Sequence, residues 1–87
     1  MNKNWSNEGW EDYLYWQSQD RKILKKINDL LKDIERNGER NGIGKPEPLK
    51  GTMSGLWSRR IDEKHRLVYF ISGGVLYIIT CKEHYQQ

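Results

Sequence analysis

The chain has 87 residues, enough for one domain and too few for two, and at this length only about 60% of the unfolded surface can be buried, so the core must be small. Hydrophobic residues make up 36% and charged residues 31%, yet four Trp and five Tyr supply bulky apolar area that disordered chains lack. A net charge of +3 permits an anionic partner without demanding one; a single cysteine, Cys81, excludes an internal disulfide; and no apolar run approaches the ~20 residues that span a bilayer. The opening MNKNWSNEGW has no apolar segment of a secretory signal, so a cytoplasmic location is expected. Cys81 lies in a hydrophobic run and reads as a small buried residue rather than a nucleophile.

Residues 1–5 offer a short edge strand. Ser6 is placed to cap a helix, with Trp5 and Trp10 at the spacing of a hydrophobic staple, while Gly9 breaks the full capping box. Trp10, Tyr13 and Leu14 recur at i, i+3, i+4 and predict a helix to about Gln19, with Trp16 on a second apolar side. Asp20 caps a second helix whose Ile23, Ile27, Leu30, Leu31 and Ile34 form one stripe, widened by Leu24, and Gly38 ends it. Its other face mixes Lys22, Lys25, Lys26, Asp29, Lys32, Asp33 and Arg36, the pattern of a solvated surface rather than a dedicated RNA contact.

From Asn37 to Gly55 five glycines and both prolines predict a long loop, and structureless loops of that length are uncommon unless they act. Pro46 and Pro48 stiffen the backbone on each side of Glu47. Residues 56–61 alternate as a strand, with Trp57, Arg59 and Ile61 on one face and Leu56, Ser58 and Arg60 on the other. A second strand runs from His65 to Ser72 and a third from Val75 to about Glu83, joined by a Gly73-Gly74 hairpin turn. The order β-α-α-β-β-β predicts one α+β domain over residues 1–87, a small antiparallel sheet with two helices on one face.

Pairing Ile61 with His65 across a three-residue loop sets Arg60 beside Arg66 on one face. Adjacent guanidiniums repel, and an anion between them is the simplest reason for such a pair, against splaying into water or pairing with Asp62 or Glu63. His84 is less determined. A two-residue turn pairing Ser72 with Val75 puts it opposite Arg66, whereas a three-residue turn, a bulge or terminal fraying puts the two on one face.

GKPEPLK, SGLWSRRI, HRLVY and a near-terminal HY, in this order, resemble the YoeB-type toxins of the RelE superfamily, as do NWSNEGWEDYLYWQ and DRKILKKINDLLKDIERN, so the likeness runs over essentially the whole chain. It implies a fold similar to microbial ribonucleases and an endoribonuclease that cuts messenger RNA in the ribosomal A site without metal or other cofactor. It also implies restraint by a cognate antitoxin, leaves a homodimer open, and involves no membrane. By position it makes Glu47 the general base, Arg66 a binder of phosphate and transition state, His84 the general acid and Tyr85 a residue that positions RNA. Lys50 and Arg60 match basic positions of the same groove, and Arg59 beside Arg60 joins them as a candidate phosphate contact. Gln86 and Gln87 follow the tyrosine at which the family commonly ends, Glu83 stands where an aromatic residue is often found, and Lys64 where an acidic residue is.

These residue types suit the chemistry. RNA cuts itself when its 2′-OH loses a proton and the neighbouring phosphate is neutralised, which takes a base, an acid for the leaving 5′-oxygen, and cations. Arginine serves phosphate because its planar fork binds two oxygens and never loses charge. Cations crowded round the site weaken proton transfer, so full activity is expected only where the ribosome holds the RNA in place. His65 reads as a packing residue, Trp57 and Tyr69 as core residues before base-stackers, and Cys81, Glu83 and His84 as a poor metal set because alternate strand residues diverge. A non-catalytic RNA- or ribosome-binding module, and a repressor component acting with its antitoxin, are the competing functions; Glu47 and His84 discriminate, since mere binding needs neither.

Overall fold

The computed structural model describes residues 1–83. Its elements are β1 (Asn2–Trp5), α1 (Asn7–Gln19), α2 (Arg21–Asn37), β2 (Glu47–Pro48), a 3-10 turn at Gly51–Met53, β3 (Trp57–Arg60), β4 (Arg66–Ser72) and β5 (Val75–Thr80).

Both helices start at their expected caps. Ser6 Oγ accepts from the Gly9 N–H at 2.9 Å and donates to Ile79 O at 2.6 Å, and the Trp5 and Trp10 rings meet edge-on at 5.7 Å. Gly9 has a tertiary purpose: a Cβ there would stand 2.9 Å from Ile78 O, so its absence lets the helix start lie directly on β5. The stripe expected on α1 is corrected, because Trp10 and Leu14 are exposed while Gly9 and Trp16 are buried. Trp16 satisfies its buried indole by donating to Cys81 O at 2.8 Å.

Asp20 caps α2 by accepting from the N–H groups of Lys22 and Ile23, and Gly38 closes it with an N–H bond to Ile34 O at 2.8 Å. Ile27, Leu30, Leu31 and Ile34 are buried as their spacing predicts, each contributing about 1.5–3 kcal/mol. They pack with Trp16, Ile61, Leu67, Tyr69, Leu76, Ile78 and Cys81 in one core between helices and sheet.

The sheet has five strands in the order β1-β5-β4-β3-β2. It is mixed rather than wholly antiparallel, because the N-terminal strand is real and runs parallel to β5, pairing Asn2 with Val75 and Trp5 with Ile78. Glu47 and Pro48 form an edge strand on β3, a place where a proline's missing donor costs no ladder bond, so the long glycine-rich segment is only partly loop. Strand β5 ends at Thr80, short of the expected Glu83.

Candidate active site

Alternation along β3 sends Trp57, Arg59 and Ile61 towards the helices and Ser58 and Arg60 away from them. The Ile61 N–H donates to His65 O at 2.9 Å across the three-residue loop, and Arg60 stands directly opposite Arg66. The twin-arginine arrangement read from the sequence is therefore present. One row further along the same face, cross-strand pairing runs Glu47–Ser58, Ser58–Val68 and Val68–Thr80. A carboxylate at one edge and two guanidiniums in the next row thus share the side of the sheet opposite the helices.

The turn between β4 and β5 is the two-residue one, pairing Ser72 with Val75. By itself it would put Arg66 and the even-numbered end of β5 on opposite faces. A bulge at Val68/Tyr69 intervenes: Tyr69 faces Ile78 but Val68 faces Thr80, so one extra β5 residue reverses the parity. Thr80 thereby joins the face that carries Arg66. His84 and Tyr85 lie outside the described residues. The residue before them is Glu83, at φ 67°, a backbone region that residues other than glycine seldom adopt. Its N–H donates to His65 Nδ1 at 2.7 Å, and its carbonyl accepts from the Arg66 N–H at 3.1 Å. His65 also rests edge-on against Trp16 at 4.7 Å, so it is a packing residue and an anchor for Glu83.

Arg66 is half-buried, and its Nη1 donates to the carbonyls of Asp62 at 2.7 Å, Glu63 at 3.2 Å and His65 at 3.1 Å. These bonds fix the guanidinium plane while Nε and Nη2 form no hydrogen bond among the described residues. Arg60 and Glu47 are exposed. Lys50, also exposed, caps the 3-10 turn with a backbone bond from Met53.

Arg59 is a correction. It is wholly buried, and all five donors are used: Nε on Tyr69 Oη, Nη1 on Asp33 Oδ2 at 2.6 Å and on Ile43 O, and Nη2 on the carbonyls of Gly38 and Asn41. No donor is left for phosphate, and the residue instead holds the 38–43 loop on the sheet. Burial pushes the Asp33 carboxyl up, but hydrogen bonds from Arg59, the Ile43 N–H and Asn37, with the Arg59 charge, outweigh it and hold the group below the usual carboxylate range. Tyr69 is likewise buried, donates to Glu39 O at 2.7 Å and is pushed up by burial, so it stacks on no base. Trp57 sits half-buried on the helix side beneath Arg40.

Thr80 was not singled out by its type or spacing. Its hydroxyl is buried in the row of Glu47 and Ser58 with no hydrogen-bond partner among the described residues. Only the bulge reveals it. Cys81 is buried, its thiol pushed up to about 12 by burial and by Asp12, which leaves it inert. Among the described residues no trio of His, Cys, Asp or Glu is gathered as a metal site, and no helix is long and apolar enough to cross a membrane.

A family model described as the YoeB-like toxin of bacterial type II toxin–antitoxin systems matches residues 5–85. The chain belongs to that family. It is 57% identical over 81 residues to Toxin YoeB of Escherichia coli K12, covering 93% of this chain and 95% of the relative. Among solved structures it is similar to the YoeB dimer from Staphylococcus aureus, with 50% identity and a TM-score of 0.92 over 98% of both chains. The YoeB-YefM complex from the same organism matches equally, with 49% identity and a TM-score of 0.92 over 98% of both chains. The matched span includes both rows of the site and extends to His84 and Tyr85. In this YoeB-like toxin the face opposite the helices therefore gathers an exposed carboxylate, Glu47, and the facing Arg60 and Arg66.

Proposed function

We propose that this YoeB-like toxin is an endoribonuclease that cuts messenger RNA in the ribosomal A site, using protein side chains rather than a metal. Glu47 takes the 2′-OH proton, the 2′-oxygen bonds to the adjacent phosphorus, and the bond from phosphorus to the 5′-oxygen breaks. His84 gives that oxygen its proton, leaving a 2′,3′-cyclic phosphate and a 5′-OH. Arg66 and Arg60 hold the phosphate and take up the charge that grows on it, Lys50 binds the strand beside them, and Tyr85 positions the RNA. The observation that carries this reading is the facing Arg60–Arg66 pair beside the row that starts at Glu47. Two like charges in register repel, and an anion between them turns that repulsion into binding.

A cognate antitoxin and a second copy of the chain are the proposed protein partners, supported by the YoeB-YefM complex and YoeB dimer among similar structures. A tail that covers Arg60 and Arg66 needs acidic or apolar residues. Primer extension on translating ribosomes tests the reading. Glu47→Gln and His84→Ala should each slow messenger cleavage by ~10²–10⁴-fold while co-sedimentation with ribosomes persists. Full cleavage by both variants would remove these residues from the chemistry.

A further inference from the structure

Where β3 ends, a cleft of about 390 Å³ opens beside the arginine pair, lined by Lys26 of α2, Gly44, Lys45, Arg60, Ile61, Asp62 and Glu63. Three basic residues, from α2, the loop before β2, and β3, are among its lining. None of Lys26, Lys45 and Arg60 has an ion pair or side-chain hydrogen bond among the described residues, unlike Lys3, Lys25 and Arg59, which are paired with Glu35, Asp29 and Asp33.

The backbone that presents Lys45 is built with some care. Gly44 lies at φ 80° with its carbonyl accepting the Arg60 N–H at 2.7 Å, and a Cβ there would stand 2.8 Å from Leu30 Cδ2. Lys45 follows at φ 52°, a left-handed conformation that a lysine adopts only where its surroundings impose it. The two residues press the loop flat on the end of β3 and send the chain on to Glu47. Of the acidic pair at the rim, Asp62 Oδ1 is turned into its own loop, accepting from the N–H groups of Lys64 at 2.9 Å and His65 at 2.6 Å. Asp62 and Glu63 are both countercharges at the rim, and Glu63 has no hydrogen bond to its side chain among the described residues.

We infer that this cleft is a second phosphate subsite, in which Lys26 and Lys45 take the phosphate next along an RNA strand from the one held between Arg60 and Arg66. Arg60, at the end of β3, both lines the cleft and stands across from Arg66, so it lies between the two sites. The inference rests on the nuclease reading and names a contact outside its chemistry. The ligand is a phosphodiester of the same messenger strand. The cleft reads no base, because lysines on a phosphate position a strand without selecting its sequence.

The test compares wild type with Lys26→Gln/Lys45→Asn. Glutamine keeps helix propensity at 26, and asparagine tolerates the left-handed backbone at 45, so both substitutions remove charge without disturbing the fold. Binding of a fully 2′-O-methylated single-stranded RNA, which cannot be cut, is measured against salt, with vacant ribosomes as the second probe. Removing one phosphate contact should weaken binding several-fold alike for unrelated sequences and flatten the slope of log affinity on log salt by about 0.7. Glu63→Gln should tighten binding. Loss on the oligonucleotide supports the cleft as the neighbouring subsite of the messenger strand, and loss on vacant ribosomes alone overturns it, because a ribosomal phosphate does not follow on that strand. A wild type that cleaves on ribosomes, with a double variant unchanged in affinity and slope on both probes, overturns the cleft and leaves the nuclease reading standing. A wild type that neither binds RNA nor cleaves overturns both.

Discussion

Arg59 and Arg60 are neighbours in sequence and opposites in the fold. Arg59 faces the helices, is wholly buried and spends every donor on Tyr69, Asp33 and three carbonyls; Arg60 faces away, is exposed and stands across from Arg66. The same side chain is a structural clamp on one side of the sheet and the proposed phosphate contact on the other. What separates them is the alternation of a strand and the fact that α2 covers only one face. A buried charge must be fully satisfied by the protein, whereas a guanidinium at the surface, such as Arg60, is satisfied by solvent and free to take a ligand.

The two faces should fail in different ways. Arg59→Met breaks a buried ion pair and orphans Asp33, so denaturant unfolding should show a loss of about 3–5 kcal/mol. Any loss of cleavage should then track the unfolded fraction. Arg66→Gln should do the reverse, lowering messenger cleavage by ~10²–10³-fold in a primer-extension assay with a nearly unchanged melting temperature. If Arg66→Gln unfolds the domain while Arg59→Met spares it, the assignment of the two faces is inverted.

Acid sharpens the contrast. The Asp33 carboxyl is held below its ordinary value in the fold, so its contribution to stability is complete above the unfolded value of about 3.9 and fades as pH falls through the lower folded value. A pH series of thermal melts should therefore show a decline below about pH 4 that Asp33→Asn reduces. The smallest effect concerns Cys81, whose thiol is pushed up to about 12 by burial. Iodoacetamide at pH 8 should label it only on unfolding, at a rate that Arg59→Met raises and Arg66→Gln leaves alone.

Much of this was legible in the chain. The stripe from Ile27 to Ile34, the Asp20 and Ser6 caps and the Gly73-Gly74 turn are local signals, and each element they announced is present. So is the Arg60–Arg66 pairing, which needed only the length of one loop. The burial of Arg59 was half legible: its place between Trp57 and Ile61 marked the core side, but a charged residue there looked like a ligand until its partners, scattered from Asp33 to Tyr69, were in view. The α1 stripe was misread because periodicity marks apolar residues without saying which of two apolar sides the sheet will take.

By itself, then, the sequence determined the elements, their order, the hairpin and the twin arginines, because caps, periods and turns act over a few residues and are carried by side-chain identity. Only the tertiary structure decided that β1 lies parallel to β5, that Glu47 joins the sheet, and that an extra residue before Thr80 returns β5 to the face of Arg66. Those choices are made by backbone groups, which every residue carries alike, so no local pattern of side chains can write them in advance.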